Sequence, residues 1–151
     1  MDQFRRQVLT LVRNGAYAAA VRAAFDAARR NPTAPECFEL LAYAEAMAGY
    51  SKAAVKTISR AIELAPDRPA YWYQRGQFHL AANSPREAVD DMARVIEIEQ
   101  KAAAGEFSAR AEQCRDAALS RLDEQSRTAA GRISARAAQF AHRADLRAGA
   151  K

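Results

Sequence analysis

Apolar residues recur at intervals of three or four along most of this chain, the spacing that gathers them on one face of an α-helix. The first such run ends at Asn14-Gly15, because glycine tolerates the left-handed conformation that terminates helices. The second ends at Asn31-Pro32, because proline cannot continue the backbone hydrogen-bond ladder. The pattern predicts a helical hairpin of residues 2–13 and 16–30 with these apolar positions inside: Phe4, Val8, Leu11, Val12, Ala18, Val21, Ala24, Phe25 and Ala28.

Two further hairpins follow, with clearer signals for where their helices begin and end. Pro35 and Pro69 each stand where a helix begins, a position at which the missing N–H of proline costs nothing. Gly49-Tyr50 predicts the turn of the second hairpin, with Ser51 as the cap of its second helix. The run Ser84-Pro85-Arg86-Glu87 has the composition of a capping box and predicts the start of the last helix of the third hairpin.

The three hairpins fall into register at an offset of 34 residues. A fixed period of this length is typical of stacked helical hairpins. A small residue lets two helices approach where they cross, and a large aromatic fills the gap beside the crossing. The recurring positions are Phe4, Phe38 and Trp72; Ala20, Ala54 and Ala88; Ala27, Ala61 and Val95; and Pro32, Pro66 and, in the third unit, Gln100.

These residues resemble the motif of the tetratricopeptide-repeat family over residues 1 to about 102. The resemblance implies an all-α fold, a right-handed α-solenoid of about three helical hairpins with repeats at about 1–34, 35–68 and 69–102. The chain departs from the motif where the family has a tyrosine, since those positions hold Leu11, Glu45 and His79. Gln100 in place of the closing proline is a further departure.

The register weakens after Gln100, since Phe107 follows Trp72 by 35 residues. Helical spacing of apolar residues continues, and a stack needs a final helix to cover its last face. We therefore expect a capping helix at 104–125 that completes a domain of residues 1–125. Gly131 is expected to interrupt the helix, which leaves 126–151 as a basic tail that is helical or only partly ordered.

This basic tail carries the whole formal charge of the protein. Residues 1–125 hold 17 Lys+Arg and 17 Asp+Glu, whereas the full chain has a net charge of +5. At 100° per residue, four tail arginines fall within about 60° of one another, beside Ile133 and Phe140. Three interpretations stay open: a solvated extension whose Ile133 and Phe140 dock on the preceding repeat; a stripe for an acidic protein, nucleic acid or anionic surface; and disorder. The four are Arg132, Arg136, Arg143 and Arg147.

The composition narrows the class of protein further. Half of the residues are hydrophobic and Gly and Pro together number 11, which favours helix over sheet. No apolar run reaches about 18 residues, so no membrane span is expected. The N-terminal stretch lacks the apolar core of a signal peptide and is expected to be helical. Cys37 and Cys114 are far apart and in no metal-type spacing, which favours free thiols and a cytoplasmic location.

No motif in the sequence predicts catalysis. His79 and His142 are the only histidines, and neither has a cysteine or carboxylate nearby in ligand spacing. The glycine motifs of phosphate-binding loops and nucleophile elbows are missing. Asp90-Asp91 and Asp123-Glu124 are interpreted as solvated helix surface. We therefore expect a protein that is not an enzyme and has no catalytic residue, metal or cofactor.

Resemblance to the family also implies a binding surface, because the first helices of such hairpins line a concave groove. Tyr43, Met47 and Tyr73 would offer adaptable contact area there. Glu36 and Glu39 would favour a partner segment with Lys or Arg, or are only solvated charges. The clamp by which some relatives grip a C-terminal carboxylate is not matched. The expected groove residues are Arg5, Leu9, Arg13, Glu36, Glu39, Tyr43, Met47, Tyr73, Gln77 and Leu80.

The sequence thus favours a cytoplasmic, non-enzymatic module that binds a segment of a protein partner in this groove. Resemblance to small repeat proteins leaves two specialised alternatives, a chaperone of a bacterial secretion system or an immunity protein beside a toxin gene. Nucleic-acid binding through the arginines is the lesser alternative, because the tail offers only Phe140 for base stacking. A homo-oligomer in which one tail lies in the groove of a second copy is also open.

Overall fold

The structure is a computed structural model, and it describes residues 2–102 and 105–148. All regular elements within these ranges are α-helices, so the all-α prediction is confirmed. The helices are α1 (Asp2–Arg13), α2 (Tyr17–Arg30), α3 (Pro35–Met47), α4 (Ser51–Leu64), α5 (Pro69–Ala81), α6 (Pro85–Ala102) and α7 (Ser108–Ala148).

The helices pair in chain order and then stack. α1 packs on α2, α3 on α4 and α5 on α6, which are the three predicted hairpins. The second helix of each hairpin also packs on the first helix of the next, and α7 packs on both α6 and α5. α7 therefore takes the place that the first helix of a fourth hairpin would have. The result is a solenoid in which each hairpin covers the apolar face of its neighbour.

The turns inside the three hairpins share one geometry at the period of 34 residues. Gly15, Gly49 and Asn83 have positive φ angles of 74°, 86° and 60°. The residue after each of them donates its backbone N–H five positions back, at distances of 2.9, 2.8 and 2.8 Å. This is the Schellman arrangement that ends a helix and satisfies its last carbonyl groups. The sequence pointed to the two glycines but not to Asn83.

The predicted helix starts are confirmed at the prolines and wrong at one serine. Pro35 and Pro69 occupy the first turns of α3 and α5. Ser51 was expected to cap α4, but it is the first residue of that helix and Tyr50 stands in the cap position without a side-chain hydrogen bond. The reason is that the preceding Schellman turn at Gly49 places Tyr50, and not Ser51, at the junction of the two helices.

The core lies where the hairpins cross. Ala20, Ala54 and Ala88 have no exposed surface, which allows the close helix approach that the register predicted. Phe38 packs against the apolar clusters of both the first and the second hairpin, and Trp72 packs against those of the second and third. The Trp72 indole also donates a hydrogen bond of 2.8 Å to the Pro66 carbonyl, which fixes its ring between repeats.

The C-terminal part differs from the expectation. α7 runs without a break from Ser108 to Ala148, so Gly131 does not interrupt it and one helix spans the predicted cap and tail. An exposed glycine inside a long helix costs only about 1 kcal/mol relative to alanine, which the neighbouring turns offset. Ile133 is 70% exposed, so its predicted docking on a repeat is wrong. The side chains of Phe140, His142, Arg143 and Arg147 lie outside the described residues.

Within the described residues, no helix is both long enough and apolar enough to cross a membrane.

Candidate functional site

One side of the molecule is formed by the first helices of the hairpins, and a row of polar contacts joins them. The Arg5 guanidinium of α1 donates two hydrogen bonds to the Glu39 carboxylate of α3, at 3.0 and 3.2 Å. The Gln74 amide of α5 donates to the same carboxylate at 3.2 Å. Glu39 is therefore occupied within the chain, and only 12% of its side chain is exposed. The expectation that it is a free charge for a basic partner does not describe this geometry.

Glu36 lies one turn before Glu39 on the same helix. Its carboxylate faces the Arg68 guanidinium at 3.9 Å, and the two side chains are 42% and 62% exposed. An ion pair this open contributes little to stability and can exchange partners easily. Of the two predicted glutamates, Glu36 is the one whose charge stays accessible.

The contact surface on this side is a mixture of half-buried and exposed side chains. Leu9 and Tyr43 are half-buried against the core of the first hairpin. Met47 is 44% exposed, and Arg13 and Gln77 are exposed. A flexible thioether beside a tyrosine ring offers adaptable apolar area, which suits a bound segment.

Tyr73 has a structural contact as well as its place on this side. Its ring lies 5.7 Å, centroid to centroid, from the ring of Phe107, just before α7 begins. The Gln77 amide donates a hydrogen bond of 3.2 Å to the Tyr73 hydroxyl. Tyr73 therefore helps to seat α7 on α5, and a change at this residue would disturb the fold together with any binding.

A buried ionic network links three helices, and no local pattern in the sequence predicts it. The doublet Asp90-Asp91 predicts solvated surface, but Asp91 is only 3% exposed. It accepts hydrogen bonds from Arg75 at 2.6 and 3.0 Å, and its other neighbour is His79, with Nε2 at 3.7 Å. Arg75 also donates to the Ser59 hydroxyl at 3.1 Å and lies over the Trp72 ring at 4.8 Å. The network is satisfied by its own members and ties α4, α5 and α6 together.

The residues that replace the family's tyrosine form matching pairs. His79 faces Asp91 in the third hairpin, and Glu45 accepts a side-chain hydrogen bond from Thr57 in the second. Asp91 follows Thr57 by the repeat length, as His79 follows Glu45. Burial raises the pKa of Glu45 above its usual range, and burial lowers that of His79 although Asp91 opposes the shift. Both pairs link the two helices of one hairpin, which is a structural role.

No group with the features of a catalyst stands out in the part of the chain that the structure describes. Burial raises the pKa values of Cys37 and Cys114, so both thiols are less acidic than usual and poor nucleophiles at neutral pH. They are also free thiols, as predicted. In the same part, no three His, Cys, Asp or Glu residues gather in a way that could hold a metal ion.

The predicted basic residues separate into two groups. We call helices α1–α6 the body. Arg132 and Arg136 are exposed on the half of α7 that extends beyond this body. Arg143 and Arg147 belong to the same helix, but their side chains lie outside the described residues. Arg132 and Arg136 are therefore not brought into the surface formed by α1, α3 and α5.

No protein-family model matches this chain, and no curated protein matches its sequence. The fold is nevertheless similar to that of solved structures. PcrH in complex with the chaperone-binding region of PopD has a TM-score of 0.70 at 15% identity, with 80% of this chain and 91% of that chain covered. The type III secretion chaperone SycD of Yersinia enterocolitica, with a peptide of the translocator YopD, has 0.69 at 16%, covering 78% and 91%.

A third similar structure is the TPR2B domain of yeast Sti1 in complex with pHsp70. Its TM-score is 0.72 at 16% identity, with 79% of this chain and 95% of that chain covered. At these identities the likeness establishes the fold. The chain has the tetratricopeptide-repeat fold that its register predicted.

Proposed function

We propose that this chain, which has the tetratricopeptide-repeat fold, is a non-enzymatic module that holds a segment of a protein partner against α1, α3 and α5. The described geometry supports this function by what it exposes: an adaptable apolar patch around Met47 and Tyr43, set among polar side chains. Burial raises the pKa values of both thiols, and Asp91 is held in an ion pair with Arg75, which favours binding over chemistry.

The observation that carries the proposal is the likeness to repeat proteins in complex with partner segments. PcrH, SycD and the Sti1 domain each have a partner named in their complexes, and each is covered over about nine tenths or more of its length. Such stacks use the first helices as a concave surface for an extended or helical segment. We place the binding site on this chain at Leu9, Arg13, Glu36, Tyr43, Met47 and Gln77, with Arg5, Glu39 and Tyr73 as its framework.

A second, narrower candidate is a chaperone of a secreted protein in the cytoplasm of a bacterium. The observation that favours it is that PcrH and SycD match this chain over most of its length, and SycD is a secretion chaperone. The partner would then be a segment of a translocator-like protein. The toxin-immunity alternative has no feature of the described residues in its favour.

The test starts from the partner. Affinity capture and peptide mapping would identify the bound segment, which is then titrated against the wild-type chain and two variants. Met47→Ala with Gln77→Ala removes exposed groove contacts and is expected to weaken binding about tenfold or more, because central contacts dominate such interfaces. Phe25 is 55% exposed, so the prediction that it lies inside the first hairpin is wrong. Phe25→Ala, on the second helix of that hairpin, is therefore the control and is expected to stay within about twofold.

Equal affinity of the groove variant and the wild type would remove the groove assignment. A mapped segment from a secreted translocator would select the chaperone candidate, and a segment from an unrelated cytoplasmic protein would reject it. Both variants change exposed side chains, so unchanged thermal unfolding is expected and would show that any loss is local.

A further inference from the structure

The side of α7 that contacts the body follows a regular helical spacing. Ala111 and Ala118 are fully buried against α6, and Cys114 and Leu122 are half-buried between and after them. Ala129, the last half-buried residue of α7 among the described side chains, continues the same spacing. From Ala130 to Gln139 every described side chain is exposed. The body therefore stops supporting α7 near residue 129.

The same side of α7 then carries arginines. Eighteen residues make five full turns of an α-helix, so residues that far apart share one side. Arg132 follows Cys114 by eighteen residues, and Arg136 follows Ala118 by eighteen residues, so each pair lies on the same side of α7. In the numbering of the helix, Arg143 and Arg147 follow Gln125 and Ala129 in the same way. The positions that are apolar or neutral against the body thus become an arginine row, Arg132, Arg136, Arg143 and Arg147, where the body ends.

The part of α7 that precedes the arginine row contacts the end of α5, which lines the proposed groove. The Arg121 side chain donates a hydrogen bond of 3.1 Å to the Leu80 carbonyl, in the last turn of α5. The Gln125 amide donates one of 3.1 Å to Asn83 in the following turn. Beside these contacts lies a cleft of about 430 Å³, lined by residues 83–87 together with Leu122, Gln125, Ser126 and Ala129. A segment that leaves the α5 end of the groove meets the cleft and then the row.

The row has no counter-charge within the described residues. No described carboxylate pairs with Arg132 or Arg136. The sequence from Gln125 to Ala144 contains no Asp or Glu at all. Asp145 is 9 residues from Arg136, two and a half turns, which places it on the opposite side of the helix. A cationic row left open in this way fits an anionic surface, since guanidinium groups bind carboxylates through two parallel hydrogen bonds.

The surroundings of the row favour an acidic protein segment over nucleic acid. Residues 35–125, which include the second and third hairpins and the helical stretch beside the row, hold 15 acidic and 11 basic residues. A wide polyanion such as a duplex would meet this net negative charge, whereas a single peptide segment is narrow enough to follow the row.

A second copy of α7 does not fit. The exposed Glu112, Asp116 and Asp123 could supply carboxylates, but they lie about 120–160° around the helix from Arg136. Two α7 helices packed side by side in opposite directions would need the acidic and basic groups on the same side. Charge pairing between two α7 helices is therefore excluded, and a segment of another protein is the occupant that we argue for.

We propose that the arginine row binds an acidic segment of the same partner protein whose neighbouring segment lies in the groove. This inference rests on the proposed function, because the groove supplies the first part of the contact. In this proposal the two halves of α7 have different roles. The first half covers the core of the stack, and the second half binds the acidic segment at the point where the partner's chain leaves the groove.

The test uses a defined acidic probe and two variants of equal charge. The probe is a fluorescein-labelled, 18-residue Glu/Ala peptide with glutamates at the 4-7-4 spacing of the row, titrated by fluorescence anisotropy. In Arg132→Gln with Arg136→Gln, the row loses two charges, and probe binding is expected to weaken about tenfold. Arg110→Gln with Arg127→Gln removes two exposed charges of α7 that lie off the row, and a change below about twofold is expected.

Equal weakening in the two variants would overturn the inference, because it would reduce the effect to net charge. Lack of probe binding by the wild-type chain would do the same. An oligothymidylate of equal charge that binds more tightly than the peptide, with the same dependence on Arg132 and Arg136, would assign the row to nucleic acid instead. Binding of the peptide that weakens with rising salt is the supporting result.

Failure of the arginine-row proposal can be distinguished from failure of the proposed groove. The groove variant Met47→Ala with Gln77→Ala is expected to bind the acidic probe as the wild type does, since it leaves α7 unchanged. Binding of the full partner would fall in both the groove variant and the row variant. If only the row variant loses partner affinity, the groove assignment fails; if only the groove variant does, the row assignment fails.

Discussion

At the scale of single residues, the most informative position is Gly76, where α5 crosses α6. A Cβ atom there would collide with the Met92 Cε atom and come within 3.3 Å of the Asp91 Cβ atom. Met92 is fully buried and Asp91 is held by Arg75, so neither neighbour moves freely. Glycine is therefore the residue that lets the third hairpin close around its ionic network.

Gly76→Ala is expected to lower the free energy of unfolding by about 1–3 kcal/mol, the usual cost of overpacking a core. The matched control is Gly131→Ala, in an exposed turn of α7 with open space around it. That change is expected to raise helix stability by up to about 1 kcal/mol, because alanine is the better helix former. Urea unfolding of both variants checks the pair, and a neutral Gly76→Ala would show that Met92 adapts at no cost.

The polar residues that replace the motif's tyrosine can be explained only together with the residues packed against them. Glu45 has a buried carboxylate oxygen without a hydrogen-bond partner, and burial raises its pKa. His79 is instead placed beside the Asp91 carboxylate. In the sequence, Glu45 and His79 are departures from the motif, and no local pattern links them to Thr57 and Asp91 on the following helices. Only packing of the second helix on the first brings these groups together.

At the scale of elements, the junction of α6 and α7 depends on one carboxylate. Glu99 is 1% exposed near the end of α6. It accepts a hydrogen bond of 2.7 Å from the Phe107 backbone N–H and another from the Ser108 hydroxyl. Burial alone would raise the pKa of Glu99, but the hydrogen bonds from Ser108 and the backbone outweigh it and lower that pKa. A side chain of one helix thus satisfies the start of the next.

Glu99→Gln is expected to lower the free energy of unfolding at neutral pH by about 1–3 kcal/mol, because a buried charge-assisted cap is lost. Since the folded-state pKa of Glu99 lies below its unfolded value, its contribution is present above the unfolded pKa and is lost as pH falls through the folded pKa. The difference between wild type and variant should therefore shrink in acid, as measured by chemical unfolding at several pH values.

Glu97→Gln is the control for this cap. Glu97 is exposed on the same helix, and the hydrogen bonds from Lys101 and Arg94 lower its pKa to about 2. Its loss is expected to cost less than that of Glu99 and to become smaller still at high salt, because exposed pairs are screened. A Glu97→Gln effect as large as that of Glu99→Gln would contradict the capping assignment.

At the scale of the whole molecule, α7 has two parts with different roles. Its first part covers α6 through Ala111 and Ala118, whereas every described side chain after Ala129 is exposed. The stack is therefore closed by about half of the helix. The remaining half is held by its continuous backbone ladder, which makes it a projecting surface.

A chain ending at Ala130 is expected to unfold within about 2 °C of the full chain, because every described side chain of the removed part, up to Gln139, is exposed. Ala118→Asp is the opposite case, since it places an unpaired charge at a fully buried site and is expected to lower the melting temperature by several degrees. Differential scanning calorimetry measures both. A large loss in the shortened chain would mean that the projecting half supports the fold.

Much of the fold followed from local patterns. Pro35 and Pro69 start helices because proline fits a first turn, and Ala20, Ala54 and Ala88 are buried because only a small residue fits a crossing. The groove was less predictable. Glu39 looked like an open charge until the stacking of α1, α3 and α5 brought Arg5 and Gln74 to it. Such contacts span about one repeat and leave no short-range signal in the sequence.

The sequence by itself determined the repeat length, the helical hairpins and the position of the excess positive charge, because each is written in local spacing or composition. The tertiary structure decided which charges are already paired inside the chain, as for Glu39 and Asp91. It also decided that α7 passes Gly131 as one helix and that the side of α7 facing the body carries Arg132 and Arg136 where the body ends. The physical reason is that pairing and burial depend on what packs opposite a residue, and that neighbour belongs to another helix.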